Sequence, residues 1–269
     1  MIRLLRRFRD WRRRRAAAQL PIDEAQWADA EYALPFLDRL NDDERTRLRE
    51  LAAQFIAEKE WSGARGLQLT PAIQLSIALQ ACLPILNLGL DWYRGWVGIV
   101  VYPGDFVIPR QLVDADGVVH EFDDEVLGEA WEGGPVLLSW FENLDEVGDV
   151  SIVIHEFAHK LDMTNGEVDG MPALHAGMHR TDWVAAFEPA YVDFRSRVET
   201  AEMRGEETAI DPYAAEHPSE FFAVTSEVFF EAPALLHDEY PAVYRELSRF
   251  YRQDPLANSA PAERRGPAG

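Results

Sequence analysis

Residues 149–162 read Asp149-Val-Ser-Ile-Val-Ile-His155-Glu156-Phe-Ala-His159-Lys-Leu-Asp162, and the rest of the chain is best read outward from them. Ile152, Val153, Ile154, Phe157, Ala158 and Leu161 recur at helical spacing, with Asp149 or Ser151 as the candidate cap. His155 and His159 are four apart, so a helix presents their imidazoles on one face, one turn apart, where they can share an ion. Glu156 lies about 100° round the helix from His155. That places it beside the ion, where a general base acting on a metal-activated water belongs. The bland alternative is a pair of solvent-facing histidines on an amphipathic helix. It leaves three ionisable groups set into a core-facing run without a use, which is costly.

Two imidazoles favour zinc, and a catalytic zinc takes a third protein ligand while keeping one position open. A second segment can supply it: Glu216-His-Pro-Ser-Glu220-Phe-Phe-Ala-Val-Thr-Ser-Glu227-Val-Phe-Phe-Glu231. Pro218 marks a first helical turn, and the phenylalanines bury most of the helix. Glu220 and Glu227 are two turns apart on one face. One of them can bind the metal and the other can hold a ligand histidine by its free N–H. Glu216 is the weaker candidate, and spacing alone does not choose. His175 and His179 also stand four apart, but Gly177 lies between them and no acid follows the first. A loop over the cleft is the favoured reading there, ahead of a second metal site. His120, His217 and His237 read as surface.

Composition narrows the class. Among 269 residues, 47 acids oppose 26 bases for a net charge of −21, which argues against nucleic-acid binding through the acidic body. The first fifteen residues run the other way, with eight Arg and one Asp. Residues 1–19 form a basic arm, read as a solvated, partly ordered extension in preference to a helix on an anionic membrane or a docking arm. Residues 20–253 form the domain and 254–269 a flexible tail. Only Lys59 and Lys160 are lysines, a preference for Arg that reads as codon bias. The single cysteine, Cys82, excludes an intramolecular disulfide and reads as an inert core thiol. No stretch is long and apolar enough to span a membrane. The N-terminus shows no signal-peptide pattern, and a cytoplasmic location follows as the expectation.

Asn41 can cap a helix from Asp42 to about Glu60, and Thr70-Pro71 opens another over residues 72–83. Residues 96–102 and 106–108 read as strands, Asp114–Gly117 as a hairpin turn and Val136–Phe141 as a further strand. Helices follow residue 149, so the fold class is α+β.

The segment 155–162, followed by Met163-Thr-Asn165-Gly166 and later by Pro-x-Glu-Phe-Phe-Ala-Val-x-Ser-Glu-x-Phe-Phe (218–230), resembles the Mlc titration factor A family. These are bacterial cytosolic zinc metallopeptidases related to the catalytic domain of anthrax lethal factor. The likeness runs from about residue 20 to 253, with further support at Tyr-Pro-Gly-Asp-Phe (102–106) and Gly-Glu-Ala-Trp (128–131). It implies a zincin of gluzincin type, with a small mixed sheet, an HExxH active-site helix and one Zn2+ per chain. In that arrangement His155, His159 and Glu220 hold the zinc, Glu156 is the base, and Tyr213, seven residues before Glu220, donates to the oxyanion. Glu227 is then the candidate partner of a ligand histidine. The resemblance further implies that strand 136–141 is a sheet edge to which a peptide or protein substrate adds. It also implies aminopeptidase-like activity and binding of a transcriptional repressor of the Mlc type. The rival is a non-catalytic zinc-containing regulator that sequesters a transcription factor. A structural zinc closes with a fourth Cys or His, and the one cysteine is remote, which favours the enzyme. Residues 163–180, with their glycines and Pro172, read as a movable cover.

Overall fold

The computed structural model describes residues 2–104, 106–113, 119–126, 128–141 and 151–257. The basic run forms α1 (Ile2–Ala17). Arg9 and Arg13 each reach Asp91 at 2.8 Å, and Arg13 also pairs with Glu58. Arg13 is only 8% exposed, so the expected loose extension gives way to a helix pinned by its charges. α2 (Glu24–Tyr32) follows. Next comes α3 (Asp42–Glu58), opened by Asn41, whose side chain accepts from the Glu44 N–H while the Glu44 carboxylate accepts from the Asn41 N–H. Satisfying both orphan donors fixes the helix start where the sequence placed it.

β1 (Glu60–Gly63) leads to α4 (Pro71–Cys82), capped by Thr70. Then come β2 (Gly98–Pro103), β3 (Phe106–Val113), β4 (Val119–Val126), β5 (Gly128–Ala130) and β6 (Val136–Trp140). β3 and β4 pair antiparallel on their own; the expected turn at 114–117 lies outside the described residues. The other four strands form one sheet in the order β1-β2-β6-β5, parallel except for β5, which runs antiparallel to β6. The expected edge strand is therefore corrected. β6 lies between β2 and β5, and the edge on that side is β5. The cause is the turn at 131–135: the Trp131 carbonyl accepts from the Gly134 N–H (3.0 Å), and Gly133 at φ +62° lets the chain reverse. Residues 128–130 then fold back onto 136–138.

α5 (Ile152–Asp162) is capped by Ser151, which accepts from the Ile154 N–H; Asp149, the other candidate cap, lies outside the described residues. α6 (Arg180–Arg204), α7 (Pro218–Glu231), α8 (Pro233–Glu239) and α9 (Pro241–Tyr251) complete the fold. α5 packs against β5 and β6 and against α7. Its Phe157 joins an aromatic cluster with Phe55 (5.5 Å between ring centres), Tyr93 (5.1 Å) and Trp96 (5.7 Å). Phe221 and Phe222 of α7 pack instead against Phe187, with Trp183 and Phe250 on Phe222. A helix enclosed in this way buries every residue from Val153 to Asp162, so its polar groups must meet one another or a ligand. Cys82 is fully buried, as expected of a core thiol. Of the tail, residues 254–257 are held through Asp254, which accepts from the Tyr244 hydroxyl at 2.6 Å; residues 258–269 lie outside the described residues. Among the described residues, no helix is long and apolar enough to cross a membrane.

Candidate metal centre

The crossing of α5 and α7 brings three ligand-type atoms into a triangle. His155 Nε2 and His159 Nε2 are 3.1 Å apart, and each lies 3.1 Å from Glu220 Oε2. An ion bound tetrahedrally at 2.0–2.1 Å requires edges of about 3.3 Å between its ligands, so the triangle fits a zinc-sized cation. His155 Nδ1 lies 2.5 Å from Glu227 Oε1. A carboxylate accepts, so that nitrogen carries the proton and Nε2 turns its lone pair into the triangle. Lone pairs converging this closely repel one another unless a cation sits among them. Glu216 is exposed and takes no part. Of the three glutamates left open by spacing, Glu220 faces the triangle and Glu227 stands behind His155.

Electrostatics follow from burial and charge. Burial works against the Glu220 carboxylate, but where protons on the two Nε2 atoms stand in for a cation, their hydrogen bonds outweigh burial and hold its pKa well below the usual range. Glu156 is 3% exposed. Burial pushes its pKa up to about 8; His155 pulls downward, while Glu220, Glu227 and Glu129 add to the rise. Its Oε2 finds no hydrogen-bond partner among the described residues. β5 passes directly over this carboxylate: a Cβ on Gly128 would sit 2.5 Å from Glu156 Oε1. Only glycine lets the edge strand lie so close.

Tyr213 sits in a 3-10 turn, Pro212–Ala215, whose cap is the Asp211 carboxylate accepting from the Tyr213 N–H (2.9 Å). The Tyr213 ring centre is 6.1 Å from that of His155, and the residue is 45% exposed. It therefore borders the triangle from the solvent side.

Two structural roles escaped the sequence reading. His217, taken as plain surface, is exposed but caps α7 by accepting from the Ser219 N–H (3.2 Å). Asp162, fully buried, accepts from the Gly170 N–H (2.9 Å), and the Gly170 carbonyl accepts from Trp183 Nε1 (3.1 Å). Gly170, at φ +81°, lies against Pro218: a Cβ there would stand 2.4 Å from the Pro218 carbonyl oxygen. Gly170 thus ties the segment 163–180 to α5, α6 and α7 in this structure. The signal available in sequence was an acid at the helix end followed by a glycine-rich stretch. His175 Nε2 donates to the Phe250 carbonyl (2.7 Å) and its ring packs between Trp92 and Phe250; among the described residues the one group of three ligand-type side chains is His155, His159 and Glu220.

Residues 8–252 match the family described as glucose-regulated metallo-peptidase M90. Proteins named Mlc titration factor A from Yersinia pestis (strain Pestoides F) and from Yersinia pseudotuberculosis serotypes O:1b and O:3 are 39% identical to this chain over 236 residues. The match covers 87% of this chain and 86% of each relative.

Proposed function

The chain belongs to the glucose-regulated metallo-peptidase M90 family, a family of zincin type, and on that footing we propose that it is a zinc-dependent peptidase with aminopeptidase-like activity. The observation that carries this reading is the 3.1 Å triangle of His155, His159 and Glu220 with the buried Glu156 carboxylate beside it. One zinc per chain, held by those three residues, supplies a Lewis acid that polarises a carbonyl and makes water nucleophilic at neutral pH. The other parts are the chain's own. A peptide lies along the outer edge of β5, the end strand of the sheet among the described residues, through main-chain hydrogen bonds. Glu156 Oε2 takes a proton from the attacking water and delivers it to the leaving amine; its raised pKa gives the carboxylate the proton affinity this transfer needs. The Tyr213 hydroxyl, on the solvent side, donates to the oxyanion of the tetrahedral intermediate. Glu227 holds His155 in the tautomer that presents Nε2.

The relatives' name supports a second reading beside the first: this chain also binds a transcriptional repressor of the Mlc type. That partner, and the absence of a membrane-crossing helix among the described residues, favour a cytoplasmic location. In the rival reading the zinc serves only the fold of a sequestering regulator. The test is removal and return of metal. Chelation should abolish peptide cleavage and one equivalent of zinc per chain should restore it. Zinc bound at one per chain with no cleavage of any peptide would leave the regulator standing.

A further inference from the structure

Only two of the 26 basic residues are lysines, and both address one ring. The Lys59 ammonium lies 3.5 Å and the Lys160 ammonium 4.8 Å from the centre of Trp96. A codon preference explains arginine elsewhere but not why these two positions stay lysine. Both are buried, and each ammonium is directed at two backbone carbonyls. Lys59 donates to Tyr93 and Trp96, at 2.8 Å each. Lys160 donates to Trp131 and, at 2.9 Å, to Gly134. A compact ammonium with three rotatable donors can cap two converging carbonyls in a packed core, whereas a planar guanidinium is shaped for forks.

Trp131 and Gly134 belong to the turn that folds β5 back onto β6. The Trp131 carbonyl already accepts from the Gly134 N–H, so Lys160 fills its second lone pair. Lys160 follows His159 directly on α5. One side chain therefore ties the helix that carries His155, Glu156 and His159 to the turn that sets the edge strand, whose Gly128 rests on Glu156. We propose that Lys160 is a positioning residue for substrate: through the 131–134 turn it fixes where the edge of β5 lies relative to Glu156. Its ammonium touches neither the peptide nor the reacting water. The inference rests on the peptidase reading above, since it takes β5 as the strand on which the peptide lies.

The experiment compares the zinc-loaded full chain with Lys160→Met, which keeps an unbranched side chain of similar length and removes both hydrogen bonds to the turn. Two readouts are taken: steady-state kinetics on an extended peptide, and backbone amide exchange. The expected result is a KM about tenfold higher, kcat within about twofold and zinc content unchanged. Amide exchange in residues 128–138 should speed up about tenfold while α6 to α9 stay as protected as in the parent. A fall in kcat with KM unchanged would overturn the proposal, and so would unaltered exchange in 128–138. A parent that cleaves nothing refutes the peptidase reading alone; the exchange comparison still decides whether Lys160 fastens the turn. Should Lys160→Met not fold, Lys160→Gln retains an uncharged NH2 donor group, and smaller shifts in the same directions are expected.

Discussion

At the scale of single residues, three glutamates on one segment have three different fates. Glu220 closes the triangle, Glu227 backs His155 and Glu216 faces solvent. Glu220→Ala should therefore abolish tight zinc binding, whereas Glu227→Gln should weaken it by about 10- to 100-fold. Direct metal titration separates the two, and full zinc occupancy in Glu220→Ala would reassign the ligand. The pH response follows from Glu156, which accepts a proton only as a carboxylate, so turnover falls as pH drops through its pKa. Burial lifts that pKa from 4.5 to about 8, and a cation in the triangle pulls it back down. The acid limb of kcat/KM should fall between those values, and a profile flat down to pH 4.5 would contradict the assignment. The histidine pair and Glu156 were legible because their spacing maps directly onto one helical face. The choice among the glutamates was not, because it depends on where α7 crosses α5.

At the scale of elements, local chemistry was legible and contact between distant elements was not. Asn41 caps the helix it was expected to cap, and the helix expected to open at Thr70-Pro71 does so with Thr70 as its cap, since a cap needs only its neighbours three residues on. The edge strand was misplaced because β5 has only three residues, too few to show a strand period, and its pairing depends on the 131–135 turn. The brace at Gly170 was hidden for a similar reason: its partners Asp162, Trp183 and Pro218 come from three helices. Gly170→Ala meets both a left-handed backbone and the Pro218 carbonyl. It should destabilise the fold by about 1–3 kcal/mol and lower zinc affinity with it, because the brace joins the two helices that carry the triangle. An unchanged Tm and unchanged zinc affinity would show that the loop does not set their spacing.

At the scale of the whole molecule, charge is unevenly distributed: a basic helix lies on a body rich in acids. Composition revealed the arm, but not that Arg9 and Arg13 find Asp91, or that Arg13 finds Glu58. Those partners are far away in sequence, and nothing local announces them. Arg13→Ala leaves two partly buried carboxylates short of a donor and should cost about 1–3 kcal/mol in denaturant unfolding. A loss near zero would make α1 a passenger. We infer that the crossing of α5 and α7 and the edge strand β5 work together as a peptidase. The most direct measurement incubates a mixed peptide pool with the zinc-loaded protein and, in parallel, with Glu156→Gln, and reads the products by mass spectrometry. Glu156→Gln keeps the size of the side chain and leaves the three ligand residues intact while removing the base. The parent is expected to cleave, the variant to lose about a hundredfold or more of that activity, and zinc content to be equal in both. Equal cleavage by both proteins, or none by either with zinc bound, would contradict the peptidase reading.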